Sequence, residues 1–301
     1  MTDYGHDLWF GSFITPAAHP PEAPVELAVT SEGAGLDLVS FQDHPYQPAF
    51  QDTWTLMTYA AARTERIRLS GNVMCLPLRP PAVLARATAS LDRLSRGRVE
   101  LGLGAGAFWD AIVAMGGRRL EPAQSVRALE EAIRVIRGLW DTDESAPLKI
   151  EGEFHRLTGA KRGPAPAHRI PIHIGALKPR MLRLTGRVAD GWLPSLGYLP
   201  DGPKSLGPMN DQIDEAAAGA GREPTAIIRA LNISGRFTDG GNGGGLFEGT
   251  SATWAEQIAD LALQFGVSGF ILTSDEPVDL NRFGQEVAPQ ARALVESERT
   301  L

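Results

Sequence analysis

Two rhythms alternate along this chain: short runs of aliphatic and β-branched residues, then longer stretches in which apolar positions recur every three or four residues. The first is the pattern of a buried strand and the second that of a helix with one face on a core. The pair recurs about eight times, which predicts a (β/α)8 TIM barrel with insertion segments rather than an open doubly wound sheet. Strand one is read at 8–14, followed by a helix at about 22–33. Strand two is LDLVSF, and a helix opened by Asp52 or Thr53 runs to Arg63. Strand three is IRLSGNVM and strand four lies in RVELGLGAG, with the helix PAVLARATASLDRLSRG between them.

The clearest helix is AQSVRALEEAIRVIRGLW, where Val126, Leu129, Ile133, Ile136 and Leu139 or Trp140 keep helical spacing. The rhythm breaks over about 141–170, where LKIEGEFHRL predicts a small hairpin inside an insertion. It resumes with strand five in PIHIGAL, strand six in DGWLPSLG, strand seven in IIRALNISGRF and strand eight in VSGFILTSD, each followed by a helix. The Gly-rich tract at about 239–249 carries few side chains to order it and is expected to be a mobile loop, either a lid or a plain connector.

Composition narrows the class. The 301 residues are close to the ~250 typical of one barrel with insertions, so one domain over 1–301 is expected. An apolar fraction of 43% and a charged fraction of 22% are those of an ordinary globular chain. The net charge of −7 argues against nucleic acid as a partner, because backbone binding needs clustered Lys and Arg. No apolar run is long enough to span a membrane, and the N-terminus lacks a secretory pattern. The single cysteine, Cys75, excludes an intrachain disulfide and fits the cytoplasm. The six histidines show no metal-binding spacing, so no metal is expected.

In a barrel, chemistry sits where strands end. Asp43 and His44 end strand two and point to opposite faces, and His44 is assigned inward, where it can bond a ring or carry a proton near neutral pH. Asp43 would fix a loop or a backbone amide. Gly102, Gly104 and Gly106 leave one face of strand four bare, for a flat ligand or for tight strand packing. Trp109 stands where a dinucleotide fingerprint needs its last glycine. In Gly175-Ala176-Leu177-Lys178-Pro179 a strand ends, small residues follow and a helix begins, so bare amides with Lys178 and Arg180 form a candidate phosphate site. A plain loop is the alternative, and Cys75 reads as packed rather than reactive.

SFQDH after strand two, SGNVMCLPLRPPAVLARATASLDRLSRGRVELGLGAG across units three and four, and IHIGALKPRMLRLTGRVADGW together resemble the bacterial luciferase-like flavin and deazaflavin oxidoreductases over nearly the whole chain. The resemblance implies a ring cofactor, coenzyme F420 or FMN, with Asp43 and His44 as the catalytic pair. It implies a cis peptide at Asn72-Val73 behind the ring. It also brings Gly104, Ala105, Gly106 and the run Gly175, Ala176, Leu177, Lys178 to the cofactor, and leaves Asp190 and Trp192 structural. Such barrels often pair through early helices, so a homodimer is expected.

In the sugar-phosphate dehydrogenases of that family an acidic residue follows the Gly-x-Gly turn and an aromatic follows the histidine; Ala107 and Pro48 stand there instead. Phe108, Trp109 and Asp110 are then expected to wall a more apolar substrate pocket with one carboxylate. The expected activity is hydride transfer to, or monooxygenation of, a small organic substrate. The competing readings are a phosphate-substrate isomerase or aldolase on the same barrel, and a flavin-binding barrel without catalysis.

Overall fold

The computed structural model describes residues 3–240 and 244–300. β1 (Trp9–Ile14) leads to α1 (Ala23–Gly33), and β2 (Leu38–Phe41) to α2 (Thr53–Arg63). β3 (Arg68–Gly71) and β4 (Met74–Cys75) precede α3 (Pro81–Leu94), and β5 (Leu101–Gly104) precedes a short α4 (Trp109–Ala114) and the long α5 (Pro122–Trp140). After the antiparallel hairpin β6 (Leu148–Glu151) and β7 (Arg156–Ala160) come β8 (Ile172–Ile174), α6 (Pro179–Val188), β9 (Gly191–Trp192), α7 (Leu206–Gly219) and β10 (Ile228–Ile233). The two short strands β11 (Arg236–Phe237) and β12 (Glu248–Gly249) pair with each other, ahead of α8 (Ser251–Phe265). β13 (Gly269–Thr273), α9 (Pro277–Arg282) and α10 (Ala288–Arg299) end the chain.

Nine of these strands form one parallel sheet in the order β3-β2-β1-β13-β10-β9-β8-β5-β4. A parallel bridge between Leu69 and Val99 brings β3 back to β5, so the sheet closes into a barrel of eight staves, with β3 and β4 as one stave broken at Asn72-Val73. That peptide is cis. Strands sealed between helices and lumen must be apolar throughout, and β2 is buried at all its positions. Inside the lumen Leu38, Leu193, Ala230 and Ile271 pack with Trp9, Phe13 and Val73. The helices bury their stripes against the outer face, and the predicted stripe of α5 is the observed one, with Leu129, Ile133, Ile136 and Leu139 all within 3% of full burial.

Local chemistry sets several boundaries. The Asp52 side chain accepts the Thr55 amide and caps α2, the Thr250 hydroxyl caps α8, and Gly266 ends α8 in the left-handed conformation. Three expectations change. The predicted sixth strand contracts to two residues because Pro194 follows at once and a 3-10 turn takes over at Leu196–Tyr198. α4 went unread because six residues are too few for a periodic signal. The Gly-rich tract is no free loop at its far end: Phe247 is fully buried against Trp254, and Glu248 and Gly249 pair with β11. Its positions 241–243 lie outside the described residues.

One buried charge cluster sits below the site. Glu100, just before β5, meets Arg68 and has Oε2 3.1 Å from His173 Nε2, with poor alignment for a hydrogen bond. Burial alone would raise the Glu100 pKa, but the His173 contact and charge and the Arg68 guanidinium outweigh it and hold it at about 2. A carboxyl depressed in the folded state stabilises above its unfolded value near 4.5 and loses that contribution as pH falls toward 2. The shift corresponds to about 3 kcal/mol. Urea unfolding as a function of pH should therefore show an acid limb between about pH 5 and 2 that is shallower in Glu100→Gln, with that variant about 3 kcal/mol less stable at neutral pH.

Candidate active site

The exits of β2, β3, β5, β8, β9 and β10 surround one end of the barrel. Asn72 follows β3 directly, and its Nδ2 donates 2.7 Å to Asn232 Oδ1 on β10, while Asn232 Nδ2 returns a bond of 3.1 Å and reaches Ser195 Oγ at 3.0 Å. β3 and β10 are not neighbours in the sheet, so this amide pair spans the barrel mouth and forms its floor. Val73 packs beside that floor. A Cβ on Gly104 or Gly175 would come within 2.8 or 3.2 Å of a Val73 methyl group, so those glycines are small first because Val73 fills the space.

Asp43 is buried and bonded within the protein. Its carboxylate accepts the Cys75 amide at 2.8 Å and both Nε and Nη2 of Arg79, at 2.7 and 2.6 Å. These three protein donors engage a carboxylate expected from the sequence to be catalytic. His44 differs: it is half-buried, its ring hydrogen-bonds to no described residue, and the ring is held by a stack on Tyr46 at 5.1 Å and the edge of Phe108 at 5.2 Å. Burial lowers its pKa from 6.5, the nearby Asp43 charge opposing the shift, which leaves a neutral imidazole with free ring nitrogens at neutral pH. Burial pushes the Cys75 thiol up to about 11, so it stays protonated.

Beside the floor, a cavity of 510 Å³ opens between the exits of β5 and β8, lined by Ala105, Gly106, Trp109, Gly175, Lys178, Arg180 and Arg183 among others. Gly106 needs its glycine twice over, with φ of +95° and a Cβ position 2.9 Å from Pro77. The amides of Ala176, Leu177 and Lys178 take no partner from the described residues, and the Ala176 carbonyl accepts the Trp192 indole at 2.8 Å. Lys178, Arg180 and Arg183 make no ion pair among the described residues. Bare amides, a helix start and three unmatched cations suit a group with several negative charges. A second cavity of 440 Å³, apolar along Leu76, Pro77, Leu78, Met115 and Phe154, adjoins the first at Ala105 and Ser125.

The sequence-read residues do not all converge. Ala105, Gly106, Gly175 and Lys178 gather at the cavity, Gly104 lies against Val73, and Leu177 packs on the core. Phe108 stands half exposed against His44, whereas Trp109 lines the cavity. Asp110 corrects an expectation: its side chain is 99% exposed and pairs with Arg119 on the outer surface, because one helical step past Trp109 turns it outward. Asp190 accepts the Ile172 amide and pairs with the Arg137 and Arg169 guanidinium groups, a structural set of contacts. Sequence reasoning missed Asn232, Ser195, Tyr46 and Arg79. An amide inside the apolar run ALNI was a usable signal for Asn232; Arg79 gave none until its partners were known.

A family model described as luciferase-like monooxygenase matches residues 9–236. The F420-dependent glucose-6-phosphate dehydrogenase of Nocardia farcinica is 32% identical over 241 residues, covering 75% of this chain and 68% of the relative. The Gordonia bronchialis counterpart is 33% identical, with 71% and 64% covered, so the chain spans about two thirds of the length of these relatives. The fold of an F420-dependent secondary alcohol dehydrogenase in complex with an F420-acetone adduct superposes with a TM-score of 0.80 at 19% identity, over 95% of this chain and 99% of that one. The oxygenating constituent of 3,6-diketocamphane monooxygenase from Pseudomonas putida, in complex with FMN, gives 0.77 at 18% identity, over 94% and 99%. Among the described residues no helix is long and apolar enough to cross a membrane, and no group of metal-ligating side chains gathers.

Proposed function

The chain belongs to the luciferase-like monooxygenase family, and from that membership we propose that it is an oxidoreductase working with a tailed flavin-type ring, coenzyme F420 ahead of FMN. The observation that carries this is the 510 Å³ cavity with bare amides and three cations lacking counter-ions among the described residues, at the barrel end that also carries the His44 imidazole. One phosphate is a small charge for three cations, whereas a phosphate followed by tail carboxylates matches them. The relatives above 30% identity also carry F420 in their names.

In this reading Gly106, the amides from Ala176 to Lys178, and the three cations hold the anionic tail, and Asn72 with Val73 backs the ring. When bound, the ring supplies the two-electron hydride chemistry that no side chain here provides. His44 faces the substrate side, and one of its neutral ring nitrogens takes or returns the proton that accompanies hydride movement. Tyr46 and Phe108 keep the imidazole in place and exclude water. The substrate is a small molecule with an apolar face, since aromatic rings flank His44 and the nearby carboxylates of Asp43 and Asp52 are paired with Arg79. The single buried cysteine supports a cytoplasmic setting, and we expect the working form to be a homodimer.

The test is a fluorescence titration of the purified protein with F420, FMN and riboflavin. F420 should bind at least tenfold tighter than FMN, and FMN tighter than riboflavin, in step with the charge on the tail. Equal affinity for all three, or none, would remove the proposal's main support.

A further inference from the structure

We propose that Arg79 is a positioning residue of the active site: by gripping Asp43 and Asp52 together it locks the β2 exit, which carries His44, to the segment that follows the Asn72-Val73 peptide. The inference rests on His44 facing the ring as read above. Arg79 lies in the turn between β4 and α3. Its Nε and Nη2 hold the two Asp43 oxygens at 2.7 and 2.6 Å, and Nη2 also holds Asp52 Oδ2 at 2.7 Å. The other Asp52 oxygen accepts the amide and hydroxyl of Thr55, both at 2.9 Å, so the grip extends into the first turn of α2. Asp43 meanwhile takes the Cys75 amide at 2.8 Å. The Cys75 amide bond to Asp43 and the Thr53 hydroxyl bond to the Gln42 carbonyl join these elements in pairs, and the one guanidinium ties all three together. A planar fork can hold one carboxylate by two parallel bonds while the same Nη2 reaches a second, a fixed geometry that a single ammonium nitrogen does not reproduce.

The grip also has an electrostatic result. The titratable and charged groups around His44 are Asp43 and Tyr46 on its own loop, Cys75 and Arg79 from the β4 side, and Asp52 at the start of α2; the β5–α4 loop offers only Phe108. Of these, Asp43 is the one that draws a proton onto His44, and Arg79 spends that charge on an ion pair. Without Arg79 the carboxylate acts on the imidazole uncompensated.

The experiment follows the His44 ring by NMR across pH in the full chain, assigned with His44→Gln, alongside F420 affinity by fluorescence. In Arg79→Met the His44 midpoint should rise by about one unit. In Arg79→Met with Asp43→Asn it should return to the wild-type position. In Arg79→Lys the charge remains, so the midpoint should stay while F420 affinity drops about tenfold through the lost fork. A wild-type midpoint in Arg79→Met overturns the proposal. Should circular dichroism show that variant unfolded, undiminished F420 affinity in Arg79→Lys overturns it instead. Wild-type protein that binds no F420 defeats the functional reading, and the His44 titrations then decide the role of Arg79 alone.

Discussion

Replacing His44 with asparagine should lower turnover by about 10²- to 10⁴-fold for any substrate the wild type oxidises, with F420 affinity within about threefold of wild type. The expected split follows from where the imidazole sits. It touches Tyr46 and Phe108 at the rim and takes no part in the cationic cavity, so its loss removes a proton carrier and leaves the tail anchor intact. The pH profile gives a second readout. Burial lowers the His44 pKa from 6.5 with Asp43 opposing, so the neutral, proton-accepting form persists through neutrality. Oxidation should be level above pH 7 and fall only on the acid side, at a pH below 6.5. His44→Asn should retain the low rate and lose that acid limb. Stopped-flow measurement of ring reduction checks both, and an unchanged rate would end the assignment of the proton step to His44.

Much of the fold was legible because a barrel writes its topology into periodicity. Each buried stave must be apolar at nearly every position and each outer helix apolar on one stripe, and the observed β2, α5 and α8 follow that reading closely. The hairpin of β6 and β7 showed itself by breaking the rhythm. What failed was short: α4 and β9 are set by neighbours and by Pro194 rather than by their own pattern.

The site was legible by position and less so by role. Strand-end logic singled out Asp43, His44, Asn72 and the Gly175–Lys178 turn, and the barrel collects those exits at one end. It could not tell that Asp43 is consumed by Arg79, that Val73 rather than a ligand accounts for the small size of Gly104, or that Asp110 turns to solvent. Those facts depend on partners 36, 31 and 9 residues away in sequence, and no local spacing encodes them. The same limit hid Asn232, whose partner Asn72 lies 160 residues off.

Removing charge from the tail anchor should have the second large effect. In a chain carrying Lys178→Ala, Arg180→Ala and Arg183→Ala, F420 should bind about 100-fold more weakly. Each of these exposed cations contributes about 1 kcal/mol to holding an anion, and three together give about 3 kcal/mol, or two decades in Kd. A deazaflavin without phosphate or tail should bind both proteins alike, because the ring site proposed at Asn72, Val73 and His44 is untouched. Salt separates the cause from simple damage: raising ionic strength should weaken F420 binding steeply in the wild type and much less in the triple variant, since screening acts only on charges that are present. Stability should barely change, as none of the three side chains pairs with another described residue. If the triple variant kept full affinity and full salt sensitivity, the negative end of the cofactor would have to lie elsewhere on the rim, and the preference for F420 over FMN would lose its physical basis.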